Sequence, residues 1–559
     1  MQLKKIAFAC AAALSLPLAA QAAPVTGPYD TSGMVVYLSG ASGPDSYLDA
    51  VMATLLKSTA ASPTYKYNVG TDFRVWLGEL ASSNQKIMFV KRSKGGSAFG
   101  VNPVGTFTAA AQKIATMTVI PPVGVAPNII VPNCPAAPAN AANNAFTACN
   151  ASVLIGTDPN PSLGIVGTGD RPDFGVSDVV PYMFKGTGLN LEFGATALSA
   201  LELAPTNLTS IGSYTIMQGF TVTKDVPETV SLNKAQYGEM LTGGIQNWSS
   251  VGLSVPATDK KTNVVVCRRT PGSGTQTTYN WYFQNYPCTT LSAESGVSGE
   301  LPPKRVYDSA GAFVAYAGFT GLQDGTSEAN AFPIDVTAGT GYTVIEGVGS
   351  GDVRKCLNYA AEGKEYAFKD ETGAWFKVNF NQAPAGDTAN KGYRAIGILS
   401  LDSQPKTAIP SITGTSTGTN TDAGYETDWY FKPVAAAGKF YSGTQTCLLG
   451  ATATTPGGVP TGGTVSNGAG CPNQAALRDG SYDFSSESTF QYRTAGTGRP
   501  DVNANREAFI TAFINAAGNP VNQSLWTIAL PTTTNVPNGT NAVSFYSHKN
   551  SQCKPLQHN

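Results

Sequence analysis

The sequence predicts an α/β fold, and three observations carry that prediction. Two distant stretches share one construction, a short apolar strand, a Gly/Ser-rich turn and a helix. At 559 residues the chain is long enough to bury a large core and to form two or more domains. Finally, Ile87 to Val90 and Tyr214 to Val222 read as further strands, and Asn505 to Ala517 has helical apolar spacing.

The elements follow in order. Met34 to Leu38 reads as a strand, Ser39 to Gly43 as a turn, and Ser46 to Leu56 as a helix with Leu48, Val51, Met52, Leu55 and Leu56 at helical spacing. Ile87 to Val90 is a strand leading into Lys91-Arg92-Ser93-Lys94-Gly95-Gly96. Residues 101–169, rich in Ala, Pro and Asn, are long for a connection and read as an insertion. Tyr214 to Val222 is a β-rich run, and Trp248 reads as a packed core aromatic. Val264 to Val266 is a strand and Tyr279 to Phe283 the body of a helix. Gly347-Val348-Gly349-Ser350-Gly351-Asp352 reads as a plain turn before a helix. Residues 411–424 and 454–470 are Gly/Thr/Pro/Asn-rich loops, and Asn505 to Ala517 is a helix carrying Phe509, Ile510 and Phe513.

The turn Arg268-Arg269-Thr270-Pro271-Gly272-Ser273-Gly274-Thr275 carries the most chemistry. Amides at a helix start lack intrahelical acceptors and bear partial positive charge. Glycines admit close backbone approach, hydroxyls add donors, and a guanidinium offers a bidentate fork. Together these suit a tetrahedral anion. A strand–helix turn with a Ser cap and a solvated arginine pair has the same sequence. Ser42, in the earlier turn, is either a contact to the same anion or a helix cap.

These segments resemble the periplasmic phosphate-binding proteins that serve ABC importers. Arg269 through Thr275 is similar to that family's oxyanion loop, Asp173 to Asp178 (DFGVSD) to its FGxSD segment, and Lys91 to Gly96 to the loop carrying its buried serine. Leu232 to Ala235 and Ile245 to Trp248 resemble its leucine–helix–G-x-I-x-x-W segment, and Tyr393 to Leu399 its second crossing between lobes. The order Ser93, Asp178, Arg269, Ser273 is the family's order, and the resemblance covers about half the chain.

The resemblance implies a two-lobed type 2 periplasmic-binding-protein fold, enlarged by Gly/Pro/Thr-rich insertions. Lobe 1 would span 23–221, lobe 2 222–395, and residues 396–559 would return to lobe 1 and add a C-terminal elaboration. It also implies inorganic phosphate or a similar oxyanion as ligand, with Ser42, Ser93, Asp178, Arg269, Ser273, Gly274 and Thr275 around it, and an importer complex as membrane partner. Asp178 would accept the phosphate proton, which sulfate lacks. The chain departs from the pattern at Pro271, where the family has an aspartate that steadies the arginine. Asp178 as a simple turn cap is the plain alternative.

Composition narrows the field. Lys4 and Lys5, the apolar run Ile6 to Leu18 and Ala20-Gln21-Ala22 form an expected signal peptide over 1–22, placing the mature protein in the periplasm or outside the cell. No later run is apolar enough to span a bilayer. Excluding Cys10 within that signal, eight of nine cysteines remain, an even number that predicts disulfides in an oxidising compartment. Eight cysteines allow about 105 connectivities. Local spacing favours Cys134–Cys149, Cys267–Cys288 and Cys447–Cys471, leaving Cys356 with Cys553.

Charged residues are 13% of the chain, with 36 basic and 37 acidic side chains and no basic stripe for nucleic acid. The two histidines, His548 and His558, sit in the last dozen residues and read as tail residues without a role, which argues against histidine-based catalysis or metal binding. No cofactor is expected and no enzyme is indicated. The reading is therefore an exported oxyanion-binding protein. The alternative is a secreted or cell-surface interaction protein on a binding-protein scaffold that has lost or changed its ligand.

Overall fold

The computed structural model describes residues 34–57, 65–101, 172–184, 208–253, 263–288, 324–369, 374–380, 392–401, 429–432, 474–493 and 504–558, with short breaks within several ranges, and a few short strands between 118 and 156. The expected signal segment, Cys134, Cys447, Cys471 and Pro271 lie outside the described residues, as do the loops 411–424 and 454–470.

One sheet of 13 strands organises the chain. In chain order these are β1 (Met34–Gly40), β2 (Tyr65–Val69), β3 (Phe73–Glu79), β4 (Lys86–Arg92), β5 (Thr147–Asn150), β6 (Phe174–Ser177), β7 (Leu208–Thr223), β8 (Val264–Arg269), β9 (Tyr342–Gly347), β10 (Ala395–Ser400), β11 (Trp429–Lys432), β12 (Ser485–Arg493) and β13 (Thr527–Ala529). Their spatial order is β9-β8-β10-β7-β12-β6-β1-β4-β3-β2-β5, with β11 and β13 also on β7. The helices are α1 (Asp45–Leu55), α2 (Lys234–Thr242), α3 (Gly274–Gln284), α4 (Ser350–Glu362), α5 (Gln474–Asp479) and α6 (Ala504–Ala517). The α/β class expected from the sequence is the one observed.

Two parallel groups flank β7. On one side β1 runs parallel to β4 and β6; on the other β8 runs parallel to β9 and β10. Strands covered on both faces should be continuously apolar rather than alternating. In β8 all six residues are buried, including Val264, Val265 and Val266. At 16 residues β7 is long enough to serve both groups. Its first part pairs with β12 and its last part with β10 and β11.

Each group has its own core. The first packs α1 and α6 against β1, β4 and β6 through Leu48, Val51, Phe89, Phe174 and Phe513, with the Phe89 and Phe513 rings 5.1 Å apart. The helical spacing of Phe509, Ile510 and Phe513 is the face of α6 that is buried here. The second core packs α2, α3 and α4 against β8, β9 and β10, with Trp248, Phe220, Tyr279 and Leu357 inside it. Trp248 is fully buried and donates Nε1–H to the Arg394 carbonyl at 3.2 Å, as a core aromatic should. α2 starts with a capping box in which Asn233 accepts from Gln236 N at 2.9 Å and Gln236 Oε1 accepts from Asn233 N at 3.0 Å. The chain is still in the second core at Leu401, Trp429 and Phe484, and reaches the first again at Phe490 in β12.

Disulfides correct two expectations. Cys267 pairs with Cys356, not Cys288, and Cys288 pairs with Cys553, with Cα separations of 5.8 and 5.2 Å. The reason is the packing of α4. Its buried stripe, Val353, Cys356, Leu357 and Ala360, lies on the sheet and sets Cys356 over Cys267 of β8. Sequence proximity favoured a local loop, whereas the fold brings together residues 89 and 265 positions apart. No helix among the described residues is long and apolar enough to cross a membrane.

Candidate functional site

Parallel strands point their carboxyl ends the same way, and in α/β sheets ligands collect beyond those ends. Here β1 leads to Ser42, β4 to Ser93, β6 to Asp178, β8 to the Ser273 turn and β9 to Val348 and Ser350. Contacts between these turns join the two cores. Arg269 donates from Nη1 to Ser42 Oγ (3.4 Å) and to Ser350 Oγ (3.1 Å), and from Nε and Nη2 to the Val348 carbonyl (3.1 and 2.7 Å). The glycine-rich segment Gly347–Asp352, read from sequence as a plain turn, thus fixes the arginine. Neither arginine of the pair is solvated. Arg268 is buried against Glu346 of the neighbouring strand (3.0 and 2.6 Å), which leaves Arg269, 1% exposed, as the cation directed at the turns.

Asp178 lies opposite. It is 2% exposed; Thr275 donates Oγ1–H to its Oδ2 at 3.3 Å, and its Oδ1 is buried with no hydrogen-bond partner among the described residues. Its amide donates to Ser97 Oγ at 3.0 Å. Burial pushes the Asp178 carboxyl up to about 6, although the charges of Arg269 and Lys91 and the Thr275 hydroxyl pull the other way. A buried carboxylate oxygen without a donor is costly unless a ligand supplies one.

The start of α3 completes this side. Ser273 is its N-cap, its Oγ accepting from Gln276 N at 3.3 Å. The amides of Gly274 and Thr275 have no acceptor among the described residues. Gly274 is required here because a Cβ would stand 2.2 Å from Ser97 Oγ and 2.8 Å from Asp178 Cβ, so only glycine lets the helix end approach the aspartate.

Ser93 is nearby but engaged differently. Its Oγ donates to Asp45 Oδ1 at 2.9 Å and accepts from Lys91 Nζ at 2.7 Å. Lys91 is fully buried and also donates to the Ala41 carbonyl (2.7 Å) and to Asp45 Oδ1, while Asp45 Oδ2 pairs with Arg74 at 3.2 Å. Burial alone would raise the Asp45 carboxyl, but Arg74, Lys91 and the Ser93 hydroxyl outweigh it and hold it below its ordinary value. Burial lowers Lys91, with Asp45 opposing. Sequence reasoning passed over Lys91 and Asp45. The available signal was a lysine placed directly after the apolar run Ile87 to Val90 and before a candidate turn, where burial demands a partner. Ser42, Asp178, Arg269, Ser273, Gly274 and Thr275 are thus brought into one cluster, with Ser93 linked to it through Lys91.

No protein-family model and no curated protein matches this chain. Among solved structures, an ABC-type phosphate transport receptor from Vibrio cholerae is 10% identical, over 61% of this chain and 73% of its own, with a TM-score of 0.21. The high-affinity periplasmic phosphate-binding protein PfluDING, bound with phosphate, is 16% identical over 65% of this chain and 75% of its own, with a TM-score of 0.28. An ancestral soluble variant of the human phosphate binding protein is 16% identical over 63% and 73%, with a TM-score of 0.26. These are distant similarities, and the chemistry of the cluster stands on its own side chains.

Proposed function

We propose that this chain is an exported protein that binds a protonated tetrahedral oxyanion, phosphate in kind, between its two cores. One observation carries the reading: Arg269 and Asp178 are both buried at the same cluster of strand ends, and one oxygen of Asp178 has no donor among the described residues. An anion without a proton would be attracted by the charge of Arg269 and by the Gly274 and Thr275 amides but would repel Asp178. An anion that carries its own hydroxyl satisfies all of them, donating its proton to Oδ1. Phosphate near neutrality has such a proton and sulfate does not. The signal-like leader and the two disulfides support export. A membrane importer is the partner class that this role calls for.

Calorimetry of the mature protein against phosphate, arsenate and sulfate tests it. Phosphate and arsenate are expected to bind and sulfate to bind far more weakly. Absence of binding by all three at millimolar concentration would overturn the reading and favour an interaction protein on the same scaffold.

A further inference from the structure

The other end of α3 leads to a second place of interest. Its last turns present Trp281, Tyr282 and Phe283 to an open cavity of about 510 Å3, bordered also by Lys234, Asp483 and His548. That volume falls in the range of small-molecule sites. It is separate from the strand ends around Arg269, at the opposite end of the helix.

His548, expected from sequence to be an idle tail residue, is buried in this wall. Its Nδ1 lies 2.6 Å from the Lys554 carbonyl oxygen. A carbonyl can only accept, so Nδ1 carries the proton and Nε2 presents a lone pair. Nε2 is buried and has no hydrogen-bond partner among the described residues. Across the cavity Tyr282 donates its hydroxyl to Asp483 Oδ1 at 2.6 Å, and Lys234 Nζ stands 3.7 Å from the Tyr282 ring centroid. Trp281 and Phe283 remain partly exposed. The wall is held in place twice: Cys288 at the end of α3 is bonded to Cys553, and the His548 amide donates to the buried Glu487.

These groups ask for a ligand with an apolar face and several hydroxyls. A purely apolar ligand leaves Nε2 unanswered, and an anion is opposed by Asp483. A hydroxyl both donates and accepts, so it can serve the imidazole, the carboxylate and the ammonium in turn. We propose that the cavity is a saccharide-binding site. The C–H face of a sugar ring stacks on Trp281, its hydroxyls donate to His548 Nε2 and Asp483, and Lys234 donates to a third oxygen. The covalently fixed wall makes the site preformed, which limits the ordering cost of binding.

Saturation-transfer NMR on the full mature, oxidised chain tests this with the methyl glycosides of glucose, galactose, mannose and N-acetylglucosamine. Transfer to ring C–H protons of at least one glycoside is expected. Trp281→Ala should weaken that binding by about tenfold or more, as loss of an aromatic platform implies. Lys234→Met and Asp483→Asn lie on the rim, keep the core intact, and should each weaken it as well. Arg269→Ala should leave it unchanged. No transfer from any of the four glycosides at millimolar concentration, or transfer that survives both Trp281→Ala and Asp483→Asn, would overturn the proposal.

Discussion

Thr275 donates its hydroxyl to Asp178 at 3.3 Å, across 97 positions of sequence and across the join between the two cores. The contact engages one carboxylate oxygen, and in the proposed complex the other accepts the proton of the anion. Arg269→Ala is therefore expected to weaken phosphate binding by about 2 kcal/mol or more, as loss of a desolvated charge-assisted contact. Asp178→Asn should weaken phosphate but strengthen sulfate, because an amide can donate where a carboxylate repels. Calorimetry with both anions on both variants checks this, and an unchanged phosphate-to-sulfate ratio in Asp178→Asn would remove Asp178 from the selectivity argument. Ser93→Ala should matter less than Arg269→Ala, since the Ser93 hydroxyl is spent on Asp45.

The same aspartate makes the empty protein pay at neutral pH. Its carboxyl is raised from 3.8 to about 6, mainly by burial. A folded value above the unfolded one means the folded state binds the proton more tightly, so this group's contribution to stability worsens as pH rises from about 4 to about 6 and stays unfavourable above, by about 3 kcal/mol. Asp178→Asn should therefore raise the melting temperature of the ligand-free protein at pH about 8, and the gain should vanish as the pH falls towards 4. Melting curves across that range decide it; a gain that persists in acid points to a cause other than the charge.

Gly274→Ala places a methyl against Ser97 and Asp178. Forcing it in should cost about 1–3 kcal/mol of stability and displace the start of α3 from the anion. Removing the Ser97 hydroxyl relieves the shortest of the contacts, so Ser97→Ala should recover part of the loss. A double variant whose stability is the plain sum of the two single changes would show that the clash is not the cause.

The disulfides predict their own peptide map. Digestion without reduction should link the Cys267 peptide to that of Cys356 and the Cys288 peptide to that of Cys553. Because these bonds close long loops, replacing both cysteines by alanine should cost about 5 kcal/mol for Cys267–Cys356 and about 6 kcal/mol for Cys288–Cys553 on the chain-entropy estimate. A Cys267–Cys288 peptide would refute the packing of α4 described above.

Much of this was readable in the sequence, for a physical reason. Val264 to Val266 and Met34 to Leu38 read as buried strands, and the apolar spacing of Leu48, Val51 and Met52 as a helix face turned to a core. Asp178 stood out only through the resemblance of Asp173 to Asp178 to the family's FGxSD segment, and Arg269 through the Gly/Ser-rich turn that follows Val264 to Val266. What escaped were features that depend on long-range partners. The Lys91–Asp45 pair needs β4 and the start of α1 side by side. The contribution of Val348 and Ser350 depends on β9 lying next to β8, and the cysteine pairing on the rotation of α4. His548 looked idle because chain ends usually fray; a disulfide 5 residues away, at Cys553, holds it instead.

The long strand β7 has a mechanical consequence. Two bodies tied by separate flexible cords can swing like a clamshell, but two bodies that share one hydrogen-bonded ribbon cannot. Any widening between the cores must be absorbed as torsion spread along Leu208–Thr223 and the partners clasping it on both sides, chiefly β10 and β12. Such a spring is stiff. The molecule should keep nearly the same scattering profile with and without phosphate, and its traffic of ligand should be governed by small twists of the ribbon rather than by wide gaping.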